Sequence, residues 1–441
     1  MFAVVERIIR HVVYELRGGF LVRPLVIAAA IGAFGIGLPL LDEDVPLVDV
    51  WAERLPVLVP RDPAAAAGVL SSVLGVMATV ISIVLSVLLV AITFASIQFS
   101  PRILTAFVED RASQRIVGIF LGTFIYCLVV YPSARSTPPT TPAIAVLGAM
   151  VLALACLVAL VAFVHHIARS INVNFITDRI ARETERVIDA MMPEPRAPHP
   201  VGSQTRPSID GPRVRATRSG YIRYVDVARL RALARNAGVT VAMERRVGHF
   251  VAEGVPVARL SRPGRFEGLQ PAILATIDLG PARTMEQDVE FGILQLVDIA
   301  LKAISPAVND PSTAINCIDQ LTRILVRLAA REPARATFFD PPGVARLVLQ
   351  ELPFSRLVDV AFEQIVHYGK GDLAVSIRVM RAFADIASST TDEETLASIL
   401  SGAERAAGQC IASLPEADGK VIAERLAAVH RSAAASRGQQ A

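Results

Sequence analysis

Lysine is almost missing from this chain, which carries its positive charge on arginine. Of the 44 basic residues, only Lys302, Lys370 and Lys420 are lysines. Few candidates are therefore left for Schiff-base chemistry or for a lysine that cradles phosphate. The formal net charge of +3 is also too small to argue for nucleic-acid binding.

Disulfide and catalytic patterns are missing as well. Cys127 and Cys156 lie in apolar runs, and Cys317 and Cys410 lie far downstream, so the four cysteines form no disulfide framework. The sequence has no Gly-x-Gly-x-x-Gly, no Walker-type loop, no His-Glu-x-x-His, no Cys-x-x-Cys and no Gly-x-Ser-x-Gly. We therefore expect a protein that is not an enzyme and that has no cofactor and no metal site.

Charged residues are absent from long stretches of the first 170 residues. The chain is 53% hydrophobic, and four apolar segments are evident. They are 24–41, 64–97, about 116–131 and 143–164. About 20 apolar residues in a helix cross the hydrocarbon core of a bilayer. The fold class that this predicts is an α-helical integral membrane protein with four transmembrane helices.

The distribution of arginine gives the predicted orientation in the membrane. Arginines are frequent before the first span, after the second and after the fourth, whereas the 42–63 loop is mainly acidic and the 132–141 loop has only Arg135. Loops rich in Lys and Arg stay in the cytoplasm, so both termini are expected there. No acidic or basic residue lies in the middle of a span, which argues against a proton relay or a charge-coupled transporter.

The second span carries a seam of small and hydroxyl residues at helical spacing. The steps are three and four residues, with one place skipped at Leu89. The seam consists of Ser72, Gly75, Thr79, Ser82, Ser86, Thr93 and Ser96. Such a seam either packs against other helices or lines water, and the sequence leaves both open. Gly118 and Gly122 form a Gly-x-x-x-Gly pair in the third span, which predicts close helix packing.

The rest of the chain is predicted as a cytoplasmic α+β region, a small β module followed by a helical bundle. We expect a short amphipathic helix at about 100–113 and further helices that include one at about 343–352. The predicted boundaries are an N-terminal arm (1–23), a four-helix transmembrane domain (24–166), an amphipathic helix leaving the membrane (167–192), a linker (193–213), a β-rich module (214–283), a helical domain (284–432) and a disordered tail (433–441).

Asn309 and Asp310 form a tight corner between two predicted helices. Ser305-Pro306 ends the first helix, and Asp310-Pro311 is typical of an N-cap followed by proline at the first helical position. Several other oxygen-bearing side chains lie nearby in sequence and could gather around a divalent cation. They are Glu286, Asp288, Glu290, Asp298, Asn316 and Asp319. The alternative is that Asp310 caps a helix and the others are solvated.

Several stretches resemble a known family. They are 98–104 (Gln-Phe-Ser-Pro-Arg-Ile-Leu), 118–126, His165-His166-Ile-Ala and Ser219-Gly220-Tyr-Ile. The most specific is the block in 291–314 that contains Ser-Pro-Ala-Val-Asn-Asp-Pro. Together they resemble the bacterial predicted-membrane-protein family of domain of unknown function number 2254. The resemblance implies a multi-pass protein of the bacterial inner membrane and implies no activity.

Two functional hypotheses follow from these patterns. In the first, the protein is an oligomeric channel or passive pore for ions or small solutes, with a cytoplasmic regulatory region. In the second, it is a membrane-anchored sensor or scaffold whose cytoplasmic half binds a partner or ligand. An intramembrane enzyme ranks below both. The expected partners are the lipid bilayer and further copies of the chain, with no nucleic acid.

Overall fold

The computed structural model describes residues 22–41, 62–98, 110–135, 143–194, 209–261, 266–341 and 343–438. The chain divides into two compact units, Met1–Asn172 and Val173–Ala441. The described residues are mostly helical, with two small sheets in the second unit.

Four α-helices make up most of the described part of the first unit, with a short 3-10 helix at Ser133–Arg135. They are α1 (Val22–Leu41), α2 (Pro63–Gln98), α3 (Arg111–Val130) and α4 (Ala143–Ser170). Within the described residues, α2, α3 and α4 are long and apolar enough to cross a membrane, whereas the apolar stretch of α1 is shorter. A membrane protein with apolar helices is therefore confirmed, and the four-span topology stays a prediction.

Helix α3 begins earlier than its apolar segment. Asp110 caps it, because its side chain accepts hydrogen bonds from the backbone N–H and the hydroxyl of Ser113. Residues 99–109 lie outside the described residues, so the amphipathic helix predicted at 100–113 is tested only at its end. There, residues 111–113 form the first turn of α3.

The two predicted packing glycines lie where α3 contacts α1. A methyl group built on Gly122 would come within 2.6 Å of Ile31 Cδ1, and one on Gly118 within 3.0 Å of Ile27 Cβ. Only a residue without Cβ allows this approach. Gly32 of α1 lies equally close to Ile125 of α3. Each of the two helices therefore contributes glycine to the contact and packs an isoleucine against a glycine of the other.

The second unit contains two small sheets that share one apolar cluster. One has the order β4 (Phe250–Val251), β2 (Gly220–Val225), β6 (Ile277–Gly280). The other has the order β1 (Arg213–Arg215), β5 (Pro256–Leu260), β3 (Val241–Met243), β8 (Val344–Val348), β7 (Thr337–Asp340). Inward side chains of both sheets, among them Ile222, Leu260 and Leu347, pack with Leu230 of the 227–236 helix into one apolar cluster.

The helices of the second unit alternate with the strands in sequence, and the last four described helices follow β8. They are α5 (Val173–Met191), α6 (Val227–Asn236), α7 (Phe266–Leu274), α8 (Val289–Ala303), α9 (Pro311–Ala329), α10 (Phe354–Gly369), α11 (Leu373–Ala387), α12 (Glu393–Ile411) and α13 (Glu416–Gly438). Helix α5, predicted as a separate amphipathic segment, packs on α8 and α9. Arg327 of α9 and Arg331, two residues beyond its end, bind Asp189 of α5.

The prediction of a helix at about 343–352 is wrong, because residues 344–348 form strand β8. Periodicity alone does not separate a short apolar run in a strand from one in a helix. Tertiary pairing decides it here: β8 is parallel to β3, with Val241 opposite Leu347, and antiparallel to β7. The β module therefore extends beyond the predicted 214–283 and takes two strands from the region predicted as helical.

Candidate functional site

The seam on α2 is exposed in the single chain. Six of its seven positions are exposed. At Gly75, which has no side chain, a methyl group built on Cα would have no atom within 4 Å. These six are Ser72, Gly75, Thr79, Ser82, Ser86 and Thr93. Ser96 lies in the same helix, but its side chain falls outside the described residues.

The seam lies on the side of α2 opposite its buried face. The buried residues recur at steps of three, four and seven, and they pack against α3 and α4. They are Ala66, Leu70, Met77, Val84, Leu88 and Ala91. At about 100° per residue, this face and the seam are roughly half a turn apart around the helix axis. None of the helices described in the first unit therefore covers the seam.

The hydroxyl groups of the seam are satisfied within α2 itself. Thr79 Oγ1 donates to the carbonyl of Gly75 at 3.1 Å, Ser82 Oγ to Ala78 at 3.0 Å and Ser86 Oγ to Ser82 at 2.8 Å. A hydroxyl that bonds back to its own helix keeps further acceptor lone pairs. It tolerates an apolar neighbour and can also bind water.

Helix α4 provides a comparison within the same unit. Up to Val164, its exposed large side chains are all aliphatic, as expected for a surface that meets lipid tails. They are Leu147, Val151, Leu154, Leu157, Val158, Val161 and Val164. Helix α2 also exposes apolar side chains, such as Val76, Ile83 and Val90, but it differs because hydroxyls run along its outward face, with the exposed Leu89 at the skipped place.

The corner at Asn309 and Asp310 has the predicted helix cap. Asp310 accepts from the backbone N–H of Thr313 at 3.1 Å and from its hydroxyl at 2.6 Å, with Pro311 at the start of α9. These Thr313 hydrogen bonds hold the pKa of Asp310 below its ordinary value. Asn309 adopts a left-handed backbone with φ of 50°. Asparagine tolerates this conformation better than most residues.

The oxygen-bearing side chains considered as ligands of a divalent cation do not gather around one point. Within the described residues, no group of three or more His, Cys, Asp or Glu side chains is placed to hold a metal ion. The prediction that the others are solvated is wrong for Asp288 and Glu290, whose side chains are 3% and 4% exposed. Asp319 pairs with Arg378, and Asn316 accepts a hydrogen bond from Thr177.

Sequence reasoning missed a buried network of arginines and carboxylates around Asp288 and Glu290. Arg283 binds Asp288 through two hydrogen bonds of 2.8 Å and reaches Glu290 at 3.2 Å. Arg246 and Arg356 each lie 3.1 Å from Glu290. Burial acts to raise the pKa of Glu290, but the surrounding arginines hold it below its ordinary value.

The carboxylates of this network are held by contacts within the second unit. Each carboxylate is fully paired, and Asp288 also caps α8 through the backbone N–H of Phe291. A sequence signal exists in hindsight, since Asp288 occupies the cap position before an apolar helical stripe. The arginine partners come from three separate segments, so their convergence is a tertiary property.

The adjacent histidines after the fourth apolar segment, His165 and His166, have different surroundings. His166 Nε2 lies 2.7 Å from Asp110 Oδ2, and so it links the end of α4 to the cap of α3. His165 is exposed. Adjacent helical residues point in different directions, which is why only one of them reaches Asp110.

Comparison with known proteins places this chain in a family without an assigned activity. The model of the family described as Predicted membrane protein (DUF2254) matches residues 17–385. The chain is 32% identical over 339 residues to uncharacterized proteins of Mycobacterium bovis and Mycobacterium tuberculosis. These matches cover 75% of this chain and 65% of each relative, so the chain spans about two thirds of the relatives' length.

No solved structure matches the chain. The family match covers most of the residues, including the Ser-Pro-Ala-Val-Asn-Asp-Pro block on which the resemblance was based. The resemblance is thereby confirmed. The chain belongs to the DUF2254 family of predicted membrane proteins.

Proposed function

We propose that this protein is an oligomeric passive channel of the bacterial inner membrane, in which α2 helices from several copies surround the path. The observation that carries the proposal is the position of the seam. It runs along the exposed side of α2, opposite the face that packs on α3 and α4. An outward face meets lipid, another copy of the chain, or water.

Lipid alone is the poorest match for this face. The outward face of α4 is aliphatic up to Val164, whereas on α2 the five exposed hydroxyl residues of the seam lie among exposed apolar side chains such as Val76 and Val90. Small and hydroxyl side chains allow close approach between helices and can hydrogen-bond water in a pore. Leu89, with 66% of its surface exposed, would form a hydrophobic constriction within such a path.

The proposed topology has four spans with both termini in the cytoplasm. The asymmetric distribution of arginine supports this orientation. The close packing of α1 along α3 supports α1 as a fourth span, since small residues at such a contact are typical of helices within lipid. In this arrangement the second unit is cytoplasmic and would regulate the path. We propose no enzymatic role.

Ion flux through purified protein in liposomes tests the channel. Ser82→Leu adds bulk to the seam and is expected to abolish flux without changing the oligomer size, whereas Ser82→Ala is expected to conduct. Ala155→Leu is the matched control, because it adds the same side chain to the exposed face of α4. Loss of flux in Ser82→Leu together with conduction in Ala155→Leu supports the proposal.

The second candidate function is a membrane-anchored sensor or scaffold. It is supported by the second unit, which has its own apolar core and an arginine cluster open to solvent. If folded wild-type protein shows no flux for several ions and voltages, the channel proposal fails and this candidate takes its place. If Ser82→Leu instead dissociates the oligomer, the seam is a packing surface between copies.

A further inference from the structure

Three arginines converge on one carboxylate at the β7–β8 hairpin of the second unit. Asp340, at the end of β7, is 7% exposed and accepts two hydrogen bonds from Arg235, at 2.8 and 2.9 Å. Arg231 Nη2 donates to it at 2.9 Å, and Arg346 Nε lies at 3.3 Å. We call these four residues the Asp340 cluster.

The Asp340 cluster carries a formal charge of +2. Among the described residues, Asp340 is the acidic partner in every ion pair that these three arginines make. Hydrogen bonds from Arg235 and Arg231 lower the pKa of Asp340 to about 2, so it is already ionised at neutral pH. Two of the three guanidinium charges are therefore left without a compensating anion, and like charges at this distance repel.

Hydrogen-bond donors are also left over. A guanidinium has five N–H donors. Arg346 uses Nε on Asp340, so both of its terminal nitrogens are free within the described residues. Arg231 Nε is buried and has no hydrogen-bond partner there. Asp340 cannot serve these donors, because its two oxygens already accept four hydrogen bonds. A second anion would compensate the charge and accept hydrogen bonds from the unused terminal nitrogens of Arg346, whereas the buried Arg231 Nε becomes reachable only if its side chain shifts.

The cluster is accessible from solvent. The side chain of Arg235 is 56% exposed and that of Arg231 is 34% exposed. Helix α6 positions them together, since residues 231 and 235 are four apart and share one face. Arg346 reaches the same carboxylate from β8. A ligand would therefore meet an existing arginine surface without a rearrangement of the fold.

We propose that the Asp340 cluster is a binding site for a phosphate group. A phosphate oxyanion carries up to two negative charges and several acceptor oxygens, which match the unpaired charge and the unused donors. Arginine is the side chain best suited to this ligand because its planar fork binds phosphate through paired hydrogen bonds. The near absence of lysine from the chain does not weaken this site.

The phosphate group has two possible sources, a soluble phosphate compound or the headgroup of an anionic lipid. The chemistry of recognition is the same for both. The proposal is independent of the channel, because it depends only on residues of the second unit.

Hydrogen–deuterium exchange of the full chain in lipid nanodiscs tests the proposal. In one arm, discs of phosphatidylcholine are titrated with inorganic phosphate, against sodium chloride of equal ionic strength. In the other arm, discs contain phosphatidylglycerol and no phosphate is added. We expect slower exchange at 227–236 and 337–348 in at least one arm, and the responding arm identifies the source.

Arg→Gln variants, which all remove one positive charge, distinguish phosphate binding at the Asp340 cluster from nonspecific electrostatic attraction of phosphate to the protein. Arg346→Gln is expected to weaken the phosphate response by about tenfold or more. Arg235→Gln, at a more exposed position, serves as a second variant if Arg346→Gln does not fold. Arg229→Gln is the control, since Arg229 lies on the same helix, is exposed and has no ion pair within the described residues.

A response that is lost in Arg346→Gln or Arg235→Gln and kept in Arg229→Gln supports the site. Two results would overturn it. One is the absence of protection in both arms for folded wild-type protein. The other is an equal loss of protection in Arg229→Gln and in the cluster variants, which would mean that only the net charge of this surface matters.

Discussion

Nε2 of His166, near the end of α4, lies 2.7 Å from Oδ2 of Asp110, the residue that caps α3. One carboxylate thus performs two tasks. It satisfies an otherwise unpaired N–H at the start of a span, and it ties that span to its neighbour. Burial acts to raise the pKa of Asp110, but hydrogen bonds from Ser113 and His166 keep it below the ordinary value.

The first prediction concerns the charge of Asp110. Asp110→Asn keeps a capping oxygen but removes the charge, and it is expected to lower the free energy of unfolding by up to about 1 kcal/mol at neutral pH. Because the folded pKa is depressed, this stabilisation is present above about pH 3.9 and is lost as the pH falls through the folded pKa. Thermal unfolding in detergent from pH 7 to 3 measures it.

The unfolding temperatures of wild type and Asp110→Asn should therefore become equal at low pH, where Asp110 is protonated. Asp110→Ala is the companion variant, because it removes the cap as well and is expected to cost roughly another 1 kcal/mol at every pH. Equal stability of wild type and Asp110→Asn at pH 7 would contradict the role given to the charge.

The second prediction concerns the contact between α1 and α3. Gly122→Ala places a methyl group against Ile31, and overpacking of this kind costs roughly 1–3 kcal/mol. Gly37→Ala on α1 is the matched control, because nothing lies within 4 Å of its added methyl group. Gly37→Ala is expected to be neutral or slightly stabilising. Unfolding temperatures of both variants in the same detergent test the difference, and equal temperatures would argue against the contact.

The third prediction concerns Glu290, which is buried and pairs with three arginines. Glu290→Ala removes the carboxylate that pairs with Arg246 and Arg283, both of which are mostly buried. This loss is expected to destabilise the second unit by about 3 kcal/mol or more. The control is Asp359→Ala, which breaks an exposed pair with Arg405 and should cost less than about 1 kcal/mol.

Urea unfolding followed by circular dichroism measures both Glu290→Ala and its control. Comparable losses of stability in the two variants would show that burial of the Glu290 network adds nothing to its strength.

The fourth prediction separates backbone strain from crowding at Gly248. Gly248 and Gly254 have similar left-handed φ values, 88° and 81°. A methyl group on Gly254 meets nothing within 4 Å, whereas one on Gly248 collides with Asp288 and Arg283. Gly254→Ala is therefore expected to cost about 1–2 kcal/mol from strain alone.

Gly248→Ala is expected to cost more than Gly254→Ala, because it also displaces the Arg283–Asp288 pair. The difference between the two midpoints of urea unfolding isolates the effect of crowding. If Gly254→Ala proves the more damaging variant, the close approach at Gly248 is not a constraint on the fold.

Some elements were predictable because their signals are local. The uncharged run 64–97 became α2, and the Asp310-Pro311 pair became the start of α9. Period-2 alternation predicted β strands after residue 213. Strand β8 was not predictable in this way, because a short apolar run becomes a strand only when β3 and β7 pair with it.

The two arginine clusters were beyond sequence reasoning for a similar reason. Arg231 and Asp340 are separated by more than a hundred positions, as are Arg246 and Arg356. Nothing local in the sequence connects such partners. The family was recognisable from short blocks, because a family signature is carried by the residues themselves.

The sequence by itself determined that this is a membrane protein with long apolar helices, since hydrophobic length and the absence of charge act locally. It also determined that hydroxyls would follow one side of α2, because helical spacing fixes direction. Only the tertiary structure decided which side of α2 is covered and which arginines meet which carboxylates. Burial and pairing depend on residues far apart in the chain, and folding alone brings them together.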